Sequence, residues 1–171
     1  MRITARADYA VRAMAEIAAA PGGPRTAEAL ALSQGIPARS LEDVLADLRR
    51  AGLVRSQRGA EGGYRLARPA GEIAVADVIR AVEGPLADVH GTPPERLSYA
   101  GPALHLREVW VAARAALRGV LEAVTVGDVV AGTLPAPLRH LLEDPDAWAR
   151  RASGTGDRES SSTRGPGHPA R

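Results

Sequence analysis

IPARSLEDVLADLRRAGLVRSQRGAEGGYRLAR, residues 36–68, carries a helical repeat followed by a hairpin pattern, and the rest of the chain is read from it. Leu41, Val44, Leu45 and Leu48 recur at i, i+3, i+4 and i+7, one apolar face of a helix. Pro37 suits a first helical turn, where its missing N–H would be unpaired anyway, and Gly52 suits a helix end. The spacing predicts a helix over 38–51. LVRSQRG and YRLAR then flank Ala60-Glu61-Gly62-Gly63, a hairpin connection in which glycines supply positive φ. A helix running directly into an arginine-bearing hairpin has the form of a winged helix. Arg55, Arg58, Arg65 and Arg68 lie on or beside the hairpin, where acids are scarce. Such a pair suits a duplex, the helix for the major groove and the ribbon for phosphates or the minor groove.

Upstream, Thr4 is a candidate N-cap for a helix over 5–19, with Ala10, Met14, Ile17 and Ala18 on one face. Pro21-Gly22-Gly23-Pro24 ends it. Thr26 caps a short helix through Leu32, Leu30 points inward, and Gly35 is its stop. Short helix, glycine turn, longer helix is the helix-turn-helix arrangement.

Downstream, Ala74 to Glu83 reads as a helix with Val75, Val78, Ile79 and Val82 apolar, ended by Gly84-Pro85. A loop over 85–102 follows, containing His90, Glu95, Arg96 and Tyr99. The longest helical pattern runs from about Ala103 to Val124, with Leu106, Val109, Trp110, Ala113, Leu117, Val120, Leu121 and Val124 at helical spacing. The small domain before it cannot cover so much apolar surface. A second copy of the chain is the expected cover, with the stripe from Leu106 to Leu121 as the dimer seam. Thr125-Val126-Gly127-Asp128 has capping-box spacing, and a short helix to Ala131 is expected. Another is expected from Pro137 to Glu143, near Trp148. From Ala152 the chain has almost nothing to bury, and disorder is the expectation. The predicted division is a DNA-binding unit at 1–84, a loop at 85–102, the long helix with short helices at 103–150, and a tail at 151–171.

At 171 residues the chain can form one packed domain with an appended element. Aromatics are only 3% and Phe is absent, so Ala, Leu and Val must fill the core. All 22 basic residues are Arg, and their distribution is uneven against the acids. Residues 1–68 hold 11 Arg and 7 acids, residues 69–171 hold 11 Arg and 13 acids. The basic half is the half with the helix and hairpin, as a nucleic-acid surface requires. The absence of cysteine excludes disulfides, a thiol nucleophile and thiolate metal sites. MRITARADYA does not read as a signal peptide, and no apolar run approaches the roughly 20 residues that span a bilayer, so a soluble cytoplasmic protein is expected. There is no Gly-x-Ser-x-Gly elbow, phosphate loop or His-Glu-x-x-His, and RGAEGG lies between strands, so no enzyme is expected.

MRITARADYAVRAM, QGIPARSLEDVLADLRRAGLVRSQRGAEGGYRLARP, VADVIRAVEGP and VTVGD together resemble the Rrf-two (Rrf2) family of bacterial winged-helix transcription regulators, over about residues 1–131. The resemblance implies a mainly α winged helix-turn-helix with a two-stranded wing and a long C-terminal dimerisation helix. It implies a homodimer on a palindromic operator, acting as a repressor. Arg39, Ser40, Glu42 and Asp43 stand where the family's recognition helix faces bases. Arg58, with Gly59 beside it, stands at the wing arginine, and Arg2, Thr4 and Tyr9 stand near positions that approach the backbone. Arg50, at the far end of the helix, is expected to meet phosphate alone. Glu42 and Asp43 are suited either to accept from cytosine N4 or to repel phosphates.

Two positions depart from the family. Sensor members hold an iron–sulfur cluster through three cysteines in the loop matching 85–102, and this loop has none, with His90 alone near the first expected place. No cofactor or metal is therefore expected, and Asp8, in the region where some members place a partner ligand, reads as a first-turn acid or an arginine partner. Ala74 stands where relatives often place a capping Thr, a loss of about 1 kcal/mol. Two other readings stay open: control by a small molecule or partner protein at 85–102, or a winged module that serves protein interaction and no longer binds DNA specifically.

Overall fold

The computed structural model describes residues 3–20, 22–59 and 62–149. Arg2, the hairpin residues 60–61 and the 151–171 tail lie outside the described residues. The elements are α1 (Ala5–Ala19), α2 (Ala27–Gln34), α3 (Ala38–Arg50), β1 (Val54–Gln57), β2 (Gly63–Leu66), α4 (Val75–Glu83), α5 (Leu106–Leu121), α6 (Val126–Ala131) and α7 (Ala136–Leu142). This is the mainly α winged helix-turn-helix that the sequence predicts, with β1 and β2 as an antiparallel wing. Among the described residues no helix is long and apolar enough to cross a membrane.

Local chemistry sets the helix ends. The Thr4 hydroxyl accepts from the Ala7 N–H at 3.0 Å, and the Thr26 hydroxyl from the Ala29 N–H at 3.1 Å. Gly35, at φ 61°, turns the chain from α2 toward α3. Leu41, Val44, Leu45 and Leu48 on α3 are buried with Met14 and Ile17 of α1, Leu30 of α2, and Leu53 and Val54 at the start of the wing.

Two long-range backbone bridges complete this unit, and neither has a local signal. Arg25, between α1 and α2, exchanges hydrogen bonds with Tyr64 of the wing at 3.0 and 2.8 Å. Gly63 sits beside that bridge at φ 148°, and a Cβ there would lie 2.6 Å from the Arg25 carbonyl oxygen. The sequence reading gives Gly62 and Gly63 to turn geometry, but Gly63 also serves this close approach. The second bridge joins the Val75 N–H to the Val124 carbonyl at 2.8 Å and the Val126 N–H to the Ile73 carbonyl at 2.8 Å. Ala74 makes no side-chain cap to α4. The Val124 carbonyl instead takes the helix's first N–H, which offsets the missing Thr.

The same bridge changes the reading of the C-terminal half. Val124 and Val126 are buried, Val126 within the core of the winged unit, so residues 124–131 pack there rather than with the long helix. The Thr125–Asp128 capping box is formed as expected. The long helix is shorter than 103–124: Gly101–Ala103 is a separate 3-10 turn, and the chain leaves α5 after Leu121 to reach the bridge. Helix α7 lies where predicted, and the Trp148 indole N–H donates to the Leu142 carbonyl at 2.9 Å.

Candidate nucleic-acid interface

Helix α3 is two-sided. Against its buried apolar face stand Arg39, Glu42, Asp43, Arg49 and Arg50, all exposed, with Ser40 half-buried between the faces. Ser40 and Asp43 share a shallow groove of about 240 Å³ with Arg6 and Tyr9 of α1, which brings Tyr9 beside the first half of α3. Thr4 is placed elsewhere. Besides capping α1, its hydroxyl donates to Glu83 at 2.6 Å, at the seam between α1 and α4. On the wing, Arg58 and Gly59 are exposed, with Gly59 at φ 112°. Arg55 pairs in register with Arg65, and the Arg55 guanidinium donates to the Ala67 carbonyl at 3.0 Å. Among the described residues Arg39, Arg49, Arg58 and Arg65 form no ion pair, so their charge is available to an outside anion.

Arg50 differs from these. Its guanidinium pairs with Asp47, whose side chain is only 11% exposed and which also pairs with Arg6 of α1. The sequence reading leaves out Arg6, Asp47 and Arg49. Asp47 carries a signal it did not use: an acid between Leu45 and Leu48, on the side of α3 that faces the core, needs a cation partner. Arg6 and Arg50 supply two, and they tie α3 to α1.

A second polar network sets the position of α2. Arg12 donates to the Gln34 side chain at 3.2 Å and to the Gln34 carbonyl, and pairs with Asp8 at 3.1 Å. Glu16 accepts from Gln34 at 2.8 Å and from Arg25 at 3.0 Å. Asp8 is thus an arginine partner, one of the two roles its place suggested. Together these contacts hold α2 and the Arg25 bridge against α1.

Helix α5 is built differently. None of its residues is buried. Val109, at 54% exposure, Trp110 and Ala113 are exposed, while Leu106, Leu117, Val120 and Leu121 are half-buried. Leu117 and Leu121 turn toward Ile3 and Ala7 at the start of α1, Ile79 of α4 and Leu86. His90 and His105 are exposed.

The sequence model of the Rrf2 family, described as an iron-dependent transcriptional regulator, matches residues 3–132. A protein of Mycobacterium tuberculosis (strain H37Rv) named as an HTH-type transcriptional regulator is 49% identical over 145 residues, covering 84% of this chain and 90% of that one. The structure of CymR, the global cysteine regulator of B. subtilis, superposes with a TM-score of 0.66 at 34% identity, covering 78% of this chain and 98% of that one. IscR of T. potens superposes with a TM-score of 0.61 at 30% identity, covering 89% and 94%. The iron in the family's description finds no matching donors here. The chain has no cysteine, and among the described residues no three His, Asp or Glu gather closely enough to hold a metal ion. The residues present do not fit an iron–sulfur cluster.

Proposed function

The chain belongs to the Rrf2 family of HTH-type transcriptional regulators, which are not enzymes, and from that premise we propose that it binds a palindromic DNA operator as a homodimer and represses transcription without an iron–sulfur cluster. The observation that carries the reading is the two-sidedness of α3. Its apolar face is fully used inside the chain, which leaves Arg39, Ser40, Glu42 and Asp43 to meet base edges. The adjoining wing adds Arg58 and Gly59 at its tip. Tyr9 and Arg2 are assigned to the phosphate backbone, and Thr4 to holding the start of α1 in register with it. Arg50 meets phosphate at most, because Asp47 already holds it.

In the homodimer Leu106, Val109, Trp110, Ala113, Leu117, Val120 and Leu121 form the seam between two α5 helices. Two recognition helices then enter successive major grooves about 34–36 Å apart. A regulator that acts on DNA would work in the cytoplasm, and that location is part of the proposal.

The test is a fluorescence-anisotropy titration of the full chain against DNA from upstream of its own gene and against a scrambled duplex of equal length. Specific binding should exceed binding to the scrambled duplex by about a thousandfold or more. Equal affinity for both would leave the winged fold as a protein-interaction module. Protein purified without oxygen should be colourless and bind DNA equally with and without an iron chelator.

A further inference from the structure

Arg80 of α4 and Arg114 and Arg118 of α5 line one open pocket of about 530 Å³, together with the Gly84–Leu86 turn and Glu122. It lies where α4 of the winged unit meets the long helix. Three guanidiniums face a lining that contains one acid, and guanidiniums stay charged at any working pH. Their own-chain partners are carboxylates that remain largely in contact with water. Arg80 and Arg118 share Glu122, with Arg118 at 3.0 Å, and Arg114 pairs with Glu95. Arg114 is the telling residue: its side chain is only 18% exposed, whereas Glu95 is 56% exposed. A cation drawn that far from water, with its partner outside, presents its remaining donors to the pocket.

We propose that this pocket binds a small dianion, a molecule carrying two carboxylates or a phosphate, and that occupancy is felt at the base of the wing. The arginine fork matches planar carboxylate and tetrahedral phosphate oxygens with two parallel hydrogen bonds. The volume lies within the roughly 300–1,000 Å³ of small-ligand sites. Such an anion displaces Glu122 and Glu95, both of which return to water at little cost. The effect passes along a chain of ion pairs. Arg80, which holds Glu122, also pairs with Asp77 at 3.5 Å, and Asp77 holds Arg68, just beyond the last wing strand, at 3.0 Å. A dianion that draws Arg80 into the pocket leaves Asp77 to Arg68 alone. The regulatory half of this proposal rests on the DNA-binding reading above; the binding half does not.

The experiment is calorimetric titration of the full chain with succinate and with inorganic phosphate, each against sodium chloride of matched ionic strength. One saturable site per chain is expected for one of the two probes. Arg114→Gln and Arg118→Gln should each weaken it by about tenfold or more. Glu122→Gln, which removes the competing carboxylate, should tighten it. Arg139→Gln, on α7, should leave it unchanged and so control for general positive charge. Circular dichroism and melting confirm that each variant is folded. No saturable binding of either probe overturns the proposal, as does binding that Arg114→Gln and Arg118→Gln both leave intact. A second titration measures DNA affinity with the site filled. A shift supports the relay, and no shift at saturation overturns the relay. If anion binding is found but the chain shows no preference for any DNA, it is the DNA-binding reading that fails.

Discussion

Helices α3 and α5 have similar lengths, 13 and 16 residues, and both carry apolar residues at helical spacing, yet the chain treats them in opposite ways. On α3 the residues Leu41, Val44, Leu45 and Leu48 are at most 1% exposed. On α5 nothing is buried. Periodicity tells that a helix has an apolar face; it does not tell what covers that face. Where the chain covers it, as on α3, the remaining polar face is left for a ligand of another kind. Where the chain does not, as on α5, the apolar face itself calls for protein.

The sharpest way to break this comparison is to truncate matching residues on the two helices. Leu45→Ala should cost about 2–5 kcal/mol in denaturant unfolding. Val109→Ala, measured at protein concentrations low enough to populate the monomer, should stay within about 0.5 kcal/mol. Equal costs would mean that α5 is already covered within one chain. Next in size, Trp110→Glu should place an unpaired charge in the proposed seam and yield monomers in sedimentation velocity. A wild-type chain that sediments as a monomer at micromolar concentration sinks the seam itself.

The polar faces come third. Glu42→Ala and Arg58→Ala should each change the preferred base at one operator position by about 1–3 kcal/mol. Arg50→Ala should instead weaken all duplexes alike and flatten the salt dependence by about one unit of slope. If Glu42→Ala and Arg58→Ala also act uniformly over single-base operator variants, α3 and the wing hold DNA without reading it.

The smallest effect concerns the segment that returns from α5 to the winged core. Thr125→Ala should cost about 1 kcal/mol through loss of the cap. The Asp128 carboxyl lies below the ordinary aspartate range because the Thr125 hydroxyl, and then the Thr125 backbone N–H, donate to it. A depressed folded pKa means that its stabilisation is complete above the unfolded aspartate value and is lost as pH falls through the folded one. Asp128→Asn should therefore be less stable than wild type near neutral pH, and the gap should close in acid. A gap that persists unchanged in acid would show that the carboxylate's charge contributes nothing.

Much of the candidate interface was legible because its signals are local. Thr4, Thr26 and Gly35 mark helix ends, the four apolar positions of α3 name its buried face, and the exposed residues follow as the complement. Arg6 was not legible as a partner of Asp47, 41 residues away, nor Thr4 as a donor to Glu83, 79 residues away. Those pairings depend on how α1 crosses α3 and α4, and side-chain spacing within one helix carries no information about that.

The sequence alone determined the order of helices and wing, the arginine-rich character of the first half, the absence of thiolate ligands and the family. Each is a property of composition or of residues within a turn or two of one another, where backbone geometry and capping chemistry leave few alternatives. The tertiary structure decided that Gly63 must lack a side chain for Arg25 to pass, that the Val124 carbonyl takes the first N–H of α4, and that Val126 joins the winged core. These outcomes turn on backbone segments far apart in sequence meeting within hydrogen-bond distance. Only the assembled core fixes which N–H finds which carbonyl, and that is why α5 ends where it does, with its apolar face only partly covered.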